Sequence, residues 1–339
     1  MRPLRFLIAS SLALMLLASS IARALNADEA FLAASDAYKN GDIETLNAKL
    51  PLLDDYELLP YVQYWRLSLQ LDTAHPQEIR DFLKSVDGTL VADRMRAKWL
   101  RYLADQGDWR EFLAVSADLS TWDTELICDS LQARIALGEG DALREARDLW
   151  FTGEAQPESC LPLFDALYQQ DQLQADAVWA RFRLALNAGN AHVAKAILKY
   201  LPEAQQVSSR TIDAISRRPQ KYLQKLSTPL NDRGQTELAL YALYKTARAW
   251  PDVAADTLDK IQEQLSEEDR NYAWGQVAMA AAWQHHPEAH SWFEKADLHR
   301  LGDTQLEWRV RAALRGGDWA DIVGCIEAMS PPTRAEARS

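Results

Sequence analysis

Three histidines, His285, His286 and His290, lie in the stretch WQHHPEAHSWFEK at 283–295. His286 and His290 are four positions apart, and on one helix that spacing would place two imidazoles on the same face, where they could bind a metal ion. Pro287 lies between them and favours the start of a new helix there. No third ligand is evident. We therefore predict a solvated helix end at this place and no metal site.

Three cysteines are the other residues with reactive side chains, namely Cys128, Cys160 and Cys325. Three disulfide pairings are possible among them, and free, buried thiols are the alternative. Cys128 and Cys160 are 32 residues apart, about the length of one helical hairpin, and this is the pairing that we predict. In the chain-entropy model it would stabilise the fold by about 3–4 kcal/mol. Cys325 is then left without a partner.

The first of two similar motifs, LADQGDWREF at 103–112, joins two helix-like stretches through Gly-Asp-Trp. Gly107 can adopt the left-handed conformation that ends a helix. Asp108 can accept hydrogen bonds from the free N–H groups of the next helix, and Glu111, three residues on, resembles the second half of a capping box. We expect Trp109 to brace the resulting hairpin by packing.

The second motif, ALRGGDWADI at 313–322, repeats this arrangement 210 positions later. We predict that Gly317 ends a helix, that Asp318 caps the next one and that Trp319 braces the hairpin. Short joins of this kind favour antiparallel helical hairpins. Similar glycine-containing joins occur at 39–44, 138–143, 187–192 and 232–237.

Helical periodicity extends along the rest of the chain. In the stretch 90–106, for example, Val91, Met95 and Trp99 lie on one apolar stripe of a helix. No segment shows sustained alternation of β-branched residues, so we predict no strands. The predicted fold is all-α, and specifically an α-solenoid: a superhelical, TPR-like array of roughly nine antiparallel helical hairpins.

The N-terminus has the pattern of an export signal. Arg2 and Arg5 precede a run of apolar residues, and Ala-Arg-Ala at 22–24 matches an A-x-A cleavage site. We therefore predict a signal peptide at 1–24, export to a periplasm, and no membrane anchor after cleavage. The other predicted segments are the superhelical α-hairpin repeat domain at 25–329 and a loose C-terminal end at 330–339.

The charge balance limits the class of partner. The chain has a formal net charge of −12 and a pI near 5.1, and no extended Lys/Arg stripe is evident. We do not expect nucleic acid as a partner, because binding to it relies on basic side chains that neutralise phosphates.

Three segments of the chain together resemble a known family. QLEWRVRAALRGGDWADI at 305–322, LLPYVQYWRLSLQL at 58–71 and the segment 82–113, which contains the first Gly-Asp-Trp block, are similar to the superhelical domain of soluble lytic murein transglycosylases. The resemblance covers most of 26–329. It implies a periplasmic ring of helical hairpins, with no metal or organic cofactor, and a separate lysozyme-like domain that cleaves the MurNAc–GlcNAc bond of peptidoglycan. It also supports the disulfide pairing above.

The catalytic motifs that the resemblance implies have no counterpart in the sequence. A Glu-Ser pair should be followed by a GLMQ-type segment, but no GLMQ occurs in the chain. The Glu-Ser pair that does occur, Glu158-Ser159, is surrounded by Pro157, Cys160 and Pro162, and we interpret it as a helix start. We therefore predict that the catalytic domain is absent, that no residue here is catalytic, and that this chain alone is inactive.

Twelve tryptophans are spread along the chain, and their rings could stack on sugar rings in a glycan-binding groove. Several lie on apolar stripes at helical spacing, where packing in the core is the default. The twelve tryptophans are Trp65, Trp99, Trp109, Trp122, Trp150, Trp179, Trp250, Trp274, Trp283, Trp292, Trp308 and Trp319.

The sequence as a whole predicts the superhelical part of a periplasmic soluble lytic transglycosylase, which acts in peptidoglycan breakdown and cell-wall recycling. Its expected partners are the glycan strands of peptidoglycan, together with a separate catalytic domain or other cell-wall enzymes. The alternative is a periplasmic helical-repeat scaffold that binds proteins, since the concave surface of a solenoid suits peptides as well as glycans.

Overall fold

The structure is a computed structural model that describes residues 26–226 and 229–336. It is 74% helical, and the described residues include no strand. The predicted all-α class is therefore confirmed. The predicted signal peptide at 1–24 lies outside the described residues. Within them, no helix is both long and apolar enough to cross a bilayer.

The chain divides into two compact units. Among the described residues, unit 1 consists of 26–146 and Gln156–Leu163, and unit 2 of Arg147–Ala155, 164–226 and 229–336. The helices of unit 1 are α1 (26–39), α2 (Ile43–Lys49), α3 (Leu59–Leu69), α4 (Pro76–Ser85), α5 (Leu90–Gln106), α6 (Trp109–Ser116), α7 (Thr124–Ala136) and α8 (Ala142–Ala146). Helix α9 (Leu161–Gln169) begins in unit 1 and ends in unit 2.

Unit 2 contains the remaining helices. They are α10 (Ala175–Asn187), α11 (Ala191–Ala196), α12 (Ser209–Arg217), α13 (Pro219–Gln224), α14 (Arg233–Ala247), α15 (Pro251–Ile261), α16 (Glu267–Trp283), α17 (Ala289–Glu294), α18 (Asp303–Gly316), α19 (Trp319–Ala328) and α20 (Pro331–Glu336). Buried charges tie three of them together, because Arg183 on α10 donates to Glu237 on α14 and to Asp269 on α16.

Each unit has the packing of a solenoid. In unit 1, α5 packs on its sequence neighbour α6 and on α3 and α7; in unit 2, α16 packs on α15 and α17 and on α14 and α18. A helix thus contacts the next helix and the next but one, so that stacked hairpins bury a continuous core. The predicted array of antiparallel hairpins is confirmed within each unit. Its predicted extent, 25–329, stays a prediction.

Glycines in the left-handed conformation end the helices at most of the predicted joins. Gly41, Gly107, Gly138, Gly189 and Gly317 have φ between 69° and 96°. The join predicted at 232–237 is different, because Asp232 already caps α14 and Gly234 lies inside that helix. There a Cβ would lie 2.6 Å from Cγ1 of Val207, so Gly234 is needed for close packing and not for a turn.

The aspartates that follow these glycines cap the next helix. Asp108 accepts a hydrogen bond from the N–H of Glu111, and Asp318 accepts from the N–H groups of Ala320 and Asp321. The capping box expected at the first join is only half formed, because the carboxylate of Glu111 binds Arg80, at 2.7 Å, on the neighbouring hairpin.

A disulfide joins Cys128 on α7 to Cys160, which ends a short 3-10 turn, as predicted from the sequence. Both residues lie in unit 1 and are fully buried. Cys325 on α19 is a buried free thiol. Burial, together with the nearby carboxylate of Asp321, raises the pKa of the Cys325 thiol to about 12.

The C-terminal end at 330–339 is predicted to be loose, but within the described residues, which reach 336, it forms a helix, and this corrects the prediction for 331–336. Pro331–Glu336 form α20, since proline is compatible with the first turn of a helix. Asp303 on α18 accepts hydrogen bonds from the hydroxyls of Ser330 and Thr333, and these bonds tie the segment to unit 2.

Candidate functional site

An open groove of about 740 Å³ lies in unit 1 between α1, α3 and α5. We call it the aromatic groove. Four of its ten lining residues carry aromatic rings and three carry basic groups. The lining residues are Tyr38, Tyr64, Trp65, Leu71, Arg94, Ala97, Lys98, Arg101, Tyr102 and Asp105.

One face of α5 provides more than half of the residues that line the groove. Arg94, Lys98, Tyr102 and their neighbours recur at intervals of three and four residues, which places them in a row along a single helix face. The stripe predicted from Val91 and Met95 lies beside this row and is buried in the core. Core packing of α5 therefore holds the groove face at a set angle to α3.

The aromatic rings of the groove contact one another. Tyr38 and Trp65 are stacked, with ring centres 5.7 Å apart and planes 14° apart, and Tyr38 lies 6.4 Å from Tyr64. Phe31 supports Trp65 from behind, at 5.2 Å between ring centres. Tyr38, Tyr64 and Trp65 are each half-buried, so that each ring is fixed by packing and still presents surface to the groove.

The basic side chains of the groove are held in two ways. Arg101 binds Asp123 and Glu125 near the start of α7, which fixes its guanidinium. Lys98 lies over the ring of Tyr38, with its Nζ 6.0 Å from the ring centre. Neither Lys98 nor Arg94 forms an ion pair with any residue that the structure describes, and both can donate hydrogen bonds to a ligand.

A buried acid lies near the groove. Asp129 on α7 is 5% exposed, and burial raises its pKa to about 6, with further contributions from the carboxylates of Glu125 and Asp105. Asp105 lines the groove itself. The local charge therefore becomes more negative as the pH rises through about 6.

This arrangement suits an uncharged or weakly charged polar ligand with flat apolar faces. Aromatic faces carry partial negative charge and attract the polarised C–H groups of a sugar ring. Lys98, Arg94 and the Tyr102 hydroxyl can donate to hydroxyl oxygens, and Asp105 can accept from hydroxyl groups. The groove therefore has the chemical features of a carbohydrate-binding surface.

The sequence did not indicate most of this groove. Trp65 stood out only as one of the twelve tryptophans, and Tyr38, Arg94 and Lys98 did not stand out at all. The available signal was the repeat of polar and aromatic residues at positions 94, 98 and 102, on the face of α5 beside its core stripe.

The twelve tryptophans divide between core and surface. Five are buried, namely Trp99, Trp150, Trp179, Trp274 and Trp292. Four are exposed, namely Trp122, Trp250, Trp283 and Trp319. Of the half-buried remainder, Trp65 alone lines the aromatic groove.

The two tryptophans of the Gly-Asp-Trp motifs behave differently. Trp109 packs against the core of unit 1 and contacts the ring of Phe112, at 6.3 Å between centres. Trp319 is 69% exposed, and no ring contact involves it within the described part of the chain. The prediction that Trp319 braces its hairpin is therefore wrong. Position 322 holds Ile in place of Phe112, so the aromatic partner is missing.

The three histidines separate in the structure. His285 adopts a left-handed backbone conformation after α16, and His286 contacts Asp252 and stacks on Trp292. His290 binds Asp321 on α19, at 3.1 Å. His286 and His290 do not share one helix face, because α16 ends at Trp283 and α17 begins at Ala289, in agreement with the helix start predicted near Pro287.

His290 belongs to another cluster of possible metal ligands. Ligand atoms of His290, Glu294 and Asp318 lie within 4.8 Å of one another among the described residues. The imidazole is already bonded to Asp321, whose carboxylate also binds the guanidinium of Arg309, at 2.7 Å. A cation at this position would be repelled by that guanidinium, and we assign no metal to it.

Glu158 and Ser159 form part of a 3-10 turn between α8 and α9. Glu158 is exposed, and the hydroxyl of Ser159 donates to the carbonyl oxygen of Glu125. A carboxyl group at the surface lacks the apolar surroundings that a general acid requires.

The helices and the groove define a class of protein: an all-α repeat protein with a groove lined by polar and aromatic side chains. Comparisons with known proteins narrow this class. The chain is 25% identical over 315 residues to the soluble lytic murein transglycosylase of Escherichia coli strain K12, and 26% identical over 286 residues to that of Salmonella typhimurium. These matches cover 90% and 83% of this chain but 48% and 44% of the relatives. No family model matches the chain.

Solved structures agree with the sequence comparison. An inactive mutant of the lytic transglycosylase Slt from Pseudomonas aeruginosa is similar with a TM-score of 0.71 and 25% identity, over 91% of this chain and 50% of that one. The 70 kDa soluble lytic transglycosylase of Escherichia coli has the same fold, with a TM-score of 0.62 and 23% identity, over 91% of this chain and 50% of that one. The resemblance to soluble lytic murein transglycosylases is therefore confirmed, and the chain spans about half the length of the relatives it matches.

Proposed function

We propose that this chain is a periplasmic, peptidoglycan-binding helical module related to lytic transglycosylases, and that the aromatic groove of unit 1 holds a glycan strand. The observation that carries the proposal is the half-buried stacked pair Tyr38–Trp65 beside Lys98, because this arrangement presents both apolar ring surface and a hydrogen-bond donor to the groove. The relatives named above support peptidoglycan as the source of the glycan.

In this proposal, the module holds the glycan strand and does not cleave it. Glu158, the glutamate of the Glu-Ser pair, is exposed and lacks the apolar surroundings that a general acid requires. Cleavage of the glycosidic bond during cell-wall breakdown and recycling would then depend on a catalytic domain that the described residues do not supply.

Sedimentation with purified peptidoglycan sacculi tests this proposal. Trp65→Leu should weaken binding about tenfold, since the loss of one aromatic contact costs about 1–1.5 kcal/mol. Trp122→Leu is the matched control, because Trp122 is an exposed tryptophan of the same unit that does not line the groove. Circular dichroism shows whether both variants fold.

Two outcomes would contradict the proposal. If the wild-type chain fails to bind sacculi, the protein-binding scaffold becomes the better interpretation. If the purified chain clears murein in a zymogram, it cleaves the glycan as well as holding it, and the separation of holding from cleavage is wrong.

A further inference from the structure

A second cavity lies in unit 2, where α12 meets α13. It has a volume of about 550 Å³, and we call it the basic cleft. Four of its six lining residues are basic, and the other two provide a methyl group and an aromatic ring. The lining residues are Ala214, Arg217, Arg218, Lys221, Tyr222 and Lys225.

The local charge of this region is opposite to that of the whole chain. The segment 209–225 contains five basic residues and one acidic residue, a formal charge of +4, whereas the chain carries −12. The clustering was not evident as an extended Lys/Arg stripe, because the basic residues come from two short helices that meet at Arg218. The fold brings them around one cavity.

The cations of the basic cleft have no carboxylate partner among the described residues. The one acid of the segment, Asp213, binds the Nζ of Lys195, at 2.9 Å, and Asp232 accepts the N–H of Gln235 as the cap of α14. All four cations are exposed. Four like charges around one cavity repel one another, and a bound anion would relieve that repulsion.

The shape and charge of the cleft limit the ligand. A long polyanion would extend beyond the cleft and meet the negative field of the rest of the chain. A short anion can lie within the cavity, with its charges on the basic groups and its apolar parts on Ala214 and the ring of Tyr222. Arginine side chains bind carboxylates with two parallel hydrogen bonds, so Arg217 and Arg218 suit a peptide with several carboxylates.

We infer that the basic cleft binds the carboxylate-bearing peptide stems of peptidoglycan, which are short, acidic and rich in methyl side chains. This inference rests on the proposed function, since it takes peptidoglycan as the ligand. It assigns the sugar to the aromatic groove of unit 1 and the peptide to a separate site in unit 2.

The test compares a double charge reversal with a matched control. Arg217→Glu/Lys221→Glu changes two exposed cations of the cleft, and Arg110→Glu/Lys260→Glu makes the same change in charge at exposed positions elsewhere. The probe is the tripeptide L-Ala-γ-D-Glu-diaminopimelate, measured by calorimetry at low salt. The cleft variant should bind at least about tenfold more weakly, as expected for the loss of one charge-assisted hydrogen bond, and the control should bind like wild type.

A second measurement uses intact sacculi and glycan strands freed of peptide by an amidase. The cleft variant should bind intact sacculi more weakly and peptide-free glycan as wild type does. Equal losses on both materials would overturn the inference, as would wild-type binding of fully amidated tripeptide with unchanged affinity.

Failure of the proposed glycan binding would give a different result from failure of the peptide inference. The wild-type chain would then fail to bind peptide-free glycan, while the tripeptide would still report on the cleft by itself. If vesicles containing phosphatidylglycerol bound to the cleft in a charge-dependent way and the tripeptide did not, a membrane surface would be the occupant and the inference would be wrong.

Discussion

The two Gly-Asp-Trp hairpins share a scaffold but are stabilised by different interactions. The second motif lies 210 positions after the first, so each position in the first hairpin has an equivalent 210 residues later. Three equivalent pairs of positions form the contacts compared below: 80 and 290, 99 and 309, and 111 and 321. In unit 1 the three positions hold Arg80, Trp99 and Glu111. The guanidinium of Arg80 binds Glu111 and lies 5.8 Å from the ring centre of Trp99.

In unit 2 the same three positions hold His290, Arg309 and Asp321. Arg309 is 7% exposed and donates through Nε and Nη2 to both carboxylate oxygens of Asp321, while Nη1 donates to the carbonyl oxygens of Phe293 and Ala296. His290 also binds Asp321. One hairpin is therefore centred on a buried indole and the other on a buried ion pair, which shows that a backbone motif can be kept while its core changes from apolar to ionic.

The largest effect should come from replacing the two central side chains by the same residue. Trp99→Leu leaves a cavity and should lower the free energy of unfolding by about 2–4 kcal/mol. Arg309→Leu leaves the carboxylate of Asp321 without its cation and should cost about 3 kcal/mol at neutral pH. Denaturant unfolding measures the totals, and hydrogen exchange over 90–116 and 289–328 shows which hairpin loosens. Arg311→Leu, on the exposed side of α18, is the control.

The pH dependence separates these two variants. Burial opposes the charged form of Asp321, but Arg309 and then His290 outweigh it and hold the Asp321 pKa below its usual value. The stabilisation that ionised Asp321 gives the folded state is fully present above a pH of about 3.9, the pKa of this carboxyl in the unfolded chain. It is lost as the pH falls through the lower pKa that Asp321 has in the folded state. The deficit of Arg309→Leu relative to wild type should therefore shrink toward pH 3, whereas that of Trp99→Leu should not. A pH-independent deficit for Arg309→Leu would contradict the ionic interpretation.

A smaller effect should distinguish the motif tryptophans. Trp109→Ala removes a half-buried ring from the core of unit 1 and should cost about 1–2 kcal/mol. Trp319→Ala removes an exposed ring and should change stability by less than about 0.5 kcal/mol. Thermal unfolding of the two variants side by side checks this difference. Equal losses would show that Trp319 is buried in solution, for example against a second molecule.

The smallest effect should be common to both hairpins. Gly107→Ala and Gly317→Ala should each cost about 1 kcal/mol, because both glycines have positive φ while an added Cβ would meet no atom within 4 Å. Gly140→Ala is the control, since it has equal space and no positive φ, and it should be close to neutral. Chemical denaturation of the three variants tests this expectation. Unequal costs for Gly107→Ala and Gly317→Ala would show that the two turns differ in more than their packing.

Local features of the chain could be read from the sequence because they depend on residues a few positions apart. The helix ends at Gly107 and Gly317 and the caps at Asp108 and Asp318 follow from backbone sterics and short-range hydrogen bonds. The all-α class follows from the period of the apolar residues, and the pairing of Cys128 with Cys160 matches one hairpin repeat.

The sites depended on the tertiary structure, because they combine faces of helices that are distant in sequence. The aromatic groove needs Tyr38, Trp65 and Lys98 from three helices, and the basic cleft needs two short helices to meet at Arg218. Trp109 and Trp319 illustrate the same limit. Identical local sequence determines the turn, but the burial of the ring depends on what packs above it. Helix capping depends on hydrogen bonds between residues of the motif itself, so the sequence of the motif determines it. Burial and cavity formation depend on neighbouring residues that lie outside the motif.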